Sequence, residues 1–264
     1  MIRRIATLLF VVAGLLAVAC IDMSAPKGPA SISSLLLPSP SVVVGDTMRD
    51  SAGKAAPLRV IAYDANDVPI PADAQFFVVD SAPVGHMTNG IVVGDKQGSI
   101  HIIGQVAGVQ TTPVTVPVTV APKTFALTGK VDTLKVPLIS ITDTTSRSVG
   151  SATIAVTLRG AGDTASLGFL VKYELAKAPA TIPSSIPGIF FSDDGTKVSA
   201  VDTTDGGGAS RKLFVRSWLL VDQAVRGGTK VDSAVVIVTT SYKGAPVSGS
   251  PIRVVIPIKG TIPQ

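Results

Sequence analysis

The sequence predicts an all-β chain folded as two β-sandwiches in tandem, on three observations. The 264 residues are 46% hydrophobic but only 16% charged, rich in Thr, Val, Ser and Gly, and carry a single glutamate, Glu174. That composition disfavours helices and favours strands joined by turns. Apolar residues come in short runs broken by Gly, Pro and Asx turns, and no stretch keeps a helical period over several turns. The two halves of the chain also share a skeleton.

In chain order, Met1 to Ala19 stands apart. Arg3 and Arg4 precede the uncharged apolar run Ile5–Val18, and the small residues Ala17 and Ala19 precede Cys20, the one cysteine. This is the layout of a signal peptide, and the run is short for a membrane span of ~20 residues. Leu16-Ala17-Val18-Ala19-Cys20 resembles the lipobox of bacterial lipoproteins, with Ala17 where the family most often has Leu. The resemblance implies cleavage after Ala19 and lipidation of Cys20, which anchors the chain firmly because several acyl chains at ~0.8 kcal/mol per buried CH₂ act together. An ordinary signal peptide leaving a free thiol, and an uncleaved anchor, are the alternatives. Ile21, not Asp, follows Cys20. An Asp there resembles an inner-membrane retention signal, so its absence points to the outer membrane. Residues 20–30, with Pro26, Gly28 and Pro29, read as a flexible tether.

From Ser31 the pattern is β. Ile32–Leu37 ends at Pro38 and Pro40; Ser41–Val44 leads into the turn Gly45-Asp46. Leu58–Tyr63 alternates and runs into Asp64-Ala65-Asn66-Asp67, whose side chains can bond their own backbone. Gln75–Val79 reads as a buried strand. Asn89-Gly90 within Met87–Val93 is a strong hairpin signal. Gly98–Val106 is the next strand, and Thr112–Val120 places Val114, Val116, Val118 and Val120 on one face. Pro122 marks a boundary, so the first sandwich is 31–122 and the second 123–264. In the second, strands are expected at Phe125–Leu127, Thr133–Ile141, Ala152–Leu158, Leu167–Leu175, Lys197–Val201, Lys212–Leu220, Ser233–Thr239 and Ile252–Ile258, with a loop at Ala178–Gly188.

The shared skeleton pairs Leu58–Tyr63 and its turn with Ile154–Leu158 and the turn Gly160–Asp163. Gln75–Val79 pairs with Phe169–Leu175, and Val116-Pro117-Val118 with Ile256-Pro257-Ile258. Because proline cannot donate to a ladder, each closing strand is expected at a sheet edge or at a bulge.

Val43-Val44-Gly45-Asp46-Thr47, then Leu58–Asp64, Gly98-Ser99-Ile100 and Val114-Thr115-Val116, resemble the bacterial immunoglobulin-like domains of intimin, invasin and many surface lipoproteins. The third motif is imperfect, and the likeness is weaker over 123–264. It implies immunoglobulin-like sandwiches used in binding or display, and brings no catalytic residues.

Composition excludes other classes. The net charge of +5 includes Arg3 and Arg4, and no basic cluster remains for nucleic acid. Without disulfides, stability rests on core packing. His86 and His101 are the only histidines; with no G-x-S-x-G elbow they build no nucleophile system. Asp193, Asp194, Asp202 and Asp205, and separately Asp64, Asn66 and Asp67, raise the idea of Ca²⁺, although Asp and Asn also simply end strands. Gly206-Gly207-Gly208 leads into a strand, as a hairpin loop does. Trp218, Tyr173, Tyr242 and Phe190-Phe191 are the aromatics able to form a platform, with Trp218 read as a core anchor.

The expected function is non-enzymatic, with no catalytic, cofactor or metal residues: an envelope lipoprotein held by Cys20 that serves adhesion, ligand binding or structural display. The alternative is a carbohydrate-binding or transport-accessory lipoprotein. Expected partners are the bilayer and a protein or glycan of unknown identity.

Overall fold

The computed structural model describes residues 28–137, 149–179, 188–206, 208–216 and 232–261. The signal peptide, Cys20, Trp218 and most of the Ala178–Gly188 loop lie outside them. Among the described residues the regular structure is β throughout, apart from one short 3₁₀ turn at Ala161–Asp163.

The chain forms two compact units that interleave in sequence. One holds the described residues up to Leu36 together with Arg59–Phe77 and Ile103–Val114. The other holds Leu37–Leu58, Val78–Ile102 and the described residues from Thr115 onward.

In the first unit, Ser31–Ile32, Ala62–Tyr63 and Pro69–Ile70 form a small antiparallel sheet. The Asp64 carboxylate closes the intervening turn by accepting the amides of Asn66 and Val68, at 2.8 and 3.0 Å. Gln75–Val78 is half exposed, with Phe77 at 42%. This corrects the buried strand expected there: the strand ends its row of paired strands beside Gly98–Val106, so among the described residues only one of its flanks has a partner.

The second unit holds a sandwich whose topology is immunoglobulin-like. Taking Thr124–Leu127, Val149–Arg159, Leu170–Lys177, Ile189–Ser192, Gly208–Arg216, Asp232–Thr239 and Ile252–Thr261 as first to seventh, one sheet runs first, second, fifth, fourth, and the other seventh, sixth, third. That is the A-B-E-D and G-F-C order of immunoglobulin domains. Leu134–Pro137 and Val201–Thr203 extend the second sheet at its two edges. The period-2 apolar pattern builds the core. Ile154, Val156 and Leu158 from one sheet meet Val171, Tyr173, Val236, Val238 and Ile256 from the other, and each is at most 2% exposed. Each such side chain contributes about 1.5–3 kcal/mol by leaving water. Tyr173 on the third strand takes the place of the tryptophan usual there, its ring 6.1 Å from that of Phe191.

The closing strands are interior where a sheet edge or a bulge is expected, and the pairing of Ile252–Thr261 with Asp232–Thr239 passes Pro257 without a register shift. Val114–Thr119 lies between Val42–Val43 and Gly98–Val106, and Ile252–Thr261 between Leu134–Pro137 and Asp232–Thr239. Their prolines are accommodated in the same way. Each closing strand has a parallel partner that begins one residue past the proline, with Val118 opposite Val42 and Ile258 opposite Leu134. Pro117 and Pro257 therefore sit where that flank is still open.

Candidate functional site

The turn after Val43 places Asp46 with only 9% of its side chain exposed. Met48, fully buried, pins this segment by donating its amide to the Val92 carbonyl at 2.8 Å. A carboxylate held out of water needs donors, and Asp46 has several. Arg49 donates Nε to Oδ2 at 2.9 Å and Nη2 to Oδ1 at 2.7 Å. The Thr47 amide donates to Oδ1 at 2.9 Å, and the Tyr242 hydroxyl to Oδ2 at 2.6 Å. Lys243 Nζ lies 3.4 Å from Oδ2. Burial opposes ionisation of Asp46, but the Arg49, Tyr242 and Thr47 donors outweigh it and hold the carboxyl well below the usual carboxylate range. Tyr242 is pushed up, by burial and by the carboxylate it serves.

Tyr242 and Lys243 belong to the hairpin Ser241–Tyr242/Ala245–Pro246. Lys243 and Gly244 have φ of 54° and 76°, the twist of a two-residue type I′ turn. The Tyr242 ring meets Phe169 edge-on, centroids 6.0 Å apart, and Lys243 Nζ stands 5.3 Å from its centroid. Arg49 Nη1 donates to the Gly53 carbonyl at 2.8 Å, which ties the loop Asp50–Lys54 to the same centre. Gly53 approaches so closely that an added Cβ would collide with the Gly244 nitrogen.

These parts enclose an open cavity of about 270 Å³. Its walls come from Pro38–Val43, the Arg49–Gly53 loop, Phe169–Lys172 and the Thr239–Pro246 hairpin. Two lining hydroxyls serve the frame: Ser41 Oγ donates to the Gly168 carbonyl at 3.1 Å and Thr240 Oγ1 to the Leu170 carbonyl at 2.9 Å. Arg49, Lys172 and Lys243 line the cavity against one carboxylate, Asp50.

The other residues singled out from sequence lie elsewhere. His86 Nδ1 is 2.9 Å from Asp95, across the base of the Asn89-Gly90 hairpin. His101 Nδ1 is 2.7 Å from Asp80 Oδ1, while its amide donates to Oδ2 at 2.7 Å. Each histidine is thus one half of a local pair. That backbone amide, then the ring, lower the Asp80 carboxyl. In the aspartate-rich region Arg211 supplies the cation: its guanidinium pairs with Asp193 and lies 3.4 Å from Asp202 Oδ1. Asp194 is a turn residue held at about 2 by the amide and hydroxyl of Thr196, and Asp205 exchanges backbone hydrogen bonds with Gly208. Among the described residues no group of acidic, histidine or cysteine side chains could hold a metal ion. Phe190 stacks on Phe214 at 5.4 Å, and Phe191 is buried.

The sequence shows Asp46 within the motif Val43–Thr47 and Tyr242 among the aromatics, but nothing in it joins the two or singles out Lys172 and Lys243, and Arg49 falls in neither group. The opposite charges three apart at Asp46 and Arg49 were a usable signal. Tyr242, 196 positions on, left none.

No family model matches the sequence, and no curated protein matches it. Solved structures similar to it include domains 4 and 5 of the S-layer protein SbsC, at 12% identity and a TM-score of 0.31 over 88% of this chain and 100% of that one. The Yersinia pseudotuberculosis adhesin InvE matches at 14% and 0.34, over 89% of this chain and 61% of that one. Escherichia coli alpha-2-macroglobulin matches at 16% and 0.29, over 89% and 14%. At these TM-scores the likenesses carry no inference about what this chain binds; its fold rests on its own strand order.

Proposed function

We propose that the chain is a lipoprotein of the cell envelope, anchored through Cys20, that holds immunoglobulin-like sandwiches outside the cytoplasm for adhesion, ligand binding or display, without enzymatic activity. The observation that carries this reading is the cavity beside Asp46 and Tyr242. It is built from loops and a hairpin on a rigid sandwich, the usual place for recognition. The buried carboxylate beside it, Asp46, is engaged in holding structure and is not poised as an acid or base. The lipobox at Cys20 supports the location.

Carbohydrate binding or transport assistance at the envelope is the second reading, favoured by the part-buried Tyr242 ring on the cavity wall.

Fractionation with protease shaving tests the proposal. Wild type should sediment with membranes and Cys20→Ala should be released. A C-terminal tag lost on shaving intact cells supports adhesion or capture of an external ligand; a tag digested only after the envelope is opened moves the role to the periplasm. A Cys20→Ala protein still membrane-bound with unchanged mass would sink the anchoring.

A further inference from the structure

We infer that the cavity bounded by Tyr242 binds a small hydroxylated carboxylate of the sugar-acid class. The inference rests on the ligand-binding form of the function proposed above and supplies the ligand's chemistry.

Charge is the first argument. Of the three cations on the wall, Arg49 is committed, its guanidinium forked onto Asp46 and tied to Gly53. Lys172 is exposed and makes no ion pair with a described residue. Lys243, 51% exposed, pairs at 3.4 Å with the same Asp46 carboxylate that Arg49, Thr47 and Tyr242 serve, so it is a second cation on one charge. The lining carboxylate, Asp50, folds onto its own loop, where Oδ1 accepts the amides of Ala52 and Lys54 at 2.9 Å, and keeps its charge. Three cations therefore stand against the two carboxylates Asp46 and Asp50, and the single positive charge in excess beside the cavity favours a monoanion.

The rest of the lining narrows the class. Ser39, Thr47, Ser51, Thr239 and Ser241 also line it, and a Ser or Thr hydroxyl can exchange hydrogen bonds with ligand hydroxyls in either sense. Phe169, Pro246 and Pro251 add apolar surface for the C–H faces of a ring. At about 270 Å³ the space is at the small end of the ~300–1,000 Å³ usual for ligand pockets, which suits one sugar ring and excludes a buried oligosaccharide. One carboxylate among several hydroxyls matches one excess positive charge among several Ser and Thr.

The test is isothermal titration calorimetry on the full chain in detergent micelles at low salt, with sodium galacturonate and galactose as probes; they differ only in carboxylate against hydroxymethyl. Galacturonate should bind with a Kd on the order of 1 mM or tighter, and galactose roughly tenfold more weakly. Lys172→Ala and Lys243→Asn should each weaken galacturonate about fivefold and narrow its advantage over galactose, and added salt should weaken galacturonate more than galactose. Asparagine is chosen at 243 because it tolerates positive φ, and unchanged thermal midpoints show that both variants fold. The methyl glycoside of galacturonate separates the two sources: binding equal to the free acid admits a glycan terminus, and lost binding restricts the site to the free acid. Equal affinity for galacturonate and galactose, no saturable heat from galacturonate, or lysine variants that bind as wild type would each overturn the inference. None of these outcomes bears on membrane release by Cys20→Ala, so failure here and failure of the anchoring remain distinct.

Discussion

The Tyr242 hydroxyl donates to the Asp46 carboxylate at 2.6 Å across 196 positions of sequence. It joins the end of the second sandwich to a turn near the start of the chain. Tyr242→Phe removes this donor while Arg49 and Thr47 stay in place. A hydrogen bond to a charged acceptor contributes about 1.5–3 kcal/mol, and partial exposure of Tyr242 brings the expected loss to about 1–2 kcal/mol. Thermal unfolding should show a midpoint lower by roughly 2–8 °C. An unchanged midpoint would mean that water replaces the hydroxyl at no cost.

Asp46 makes stability depend on acid. Its folded carboxyl is depressed, so its contribution is complete above the unfolded carboxylate pKa of about 4 and is lost as pH falls below that value through the folded one. Chemical denaturation between neutral pH and pH 3 should show wild type losing stability toward acid. Asp46→Asn should be less stable at neutral pH and should lose less on acidification. Asp80 and Asp194 are also depressed, so a smaller slope remains in the variant. Parallel wild-type and variant curves would remove Asp46 as the source.

Gly53→Ala tests the contact between the Asp50–Lys54 loop and the hairpin. Gly53 has φ of 79°, and its added Cβ would meet backbone atoms of both Lys243 and Gly244. Left-handed strain alone costs about 1 kcal/mol, and displacing a packed turn adds more, so a loss above about 2 kcal/mol is expected from the urea midpoint. The same variant should weaken binding in the cavity, because the loop is one of its walls.

Tyr173→Phe should be neutral or stabilising by up to about 1 kcal/mol in the same assay. The Tyr173 hydroxyl is buried without a hydrogen-bond partner among the described residues, and removing an unsatisfied buried polar atom removes a desolvation penalty. Burial pushes this phenol up, with the nearby Asp202 charge adding to the rise. A marked loss of stability would show that the hydroxyl has a partner in solution.

Local chemistry was legible where a signal and its structure lie close together. Asn89 and Gly90 take φ of 50° and 74° in the hairpin turn their pair announces. Ile100 and Ile102 are fully buried while His101, between them, is not. Asp64 closes its own turn through Asn66 and Val68. Less legible was anything set by which strand lies alongside. Gln75–Val78 reads as buried because Phe76, Phe77 and Val78 are apolar, yet among the described residues one of its flanks has no partner. Pro117 and Pro257 suggested sheet edges, yet each proline needs only one open position, which a late-starting partner provides.

The sequence by itself determined an all-β chain, where its turns fall and which side chains face inward. Those properties follow from φ preferences and a period of two, and both act over a few residues. Tertiary structure alone decided that Tyr242 completes the shell of Asp46, that Arg211 is the cation among the aspartates, and that Lys172 and Lys243 share a cavity. A hydrogen bond or an ion pair is decided within about 3–4 Å, and nothing in the order of residues states which distant positions the sandwich brings that close.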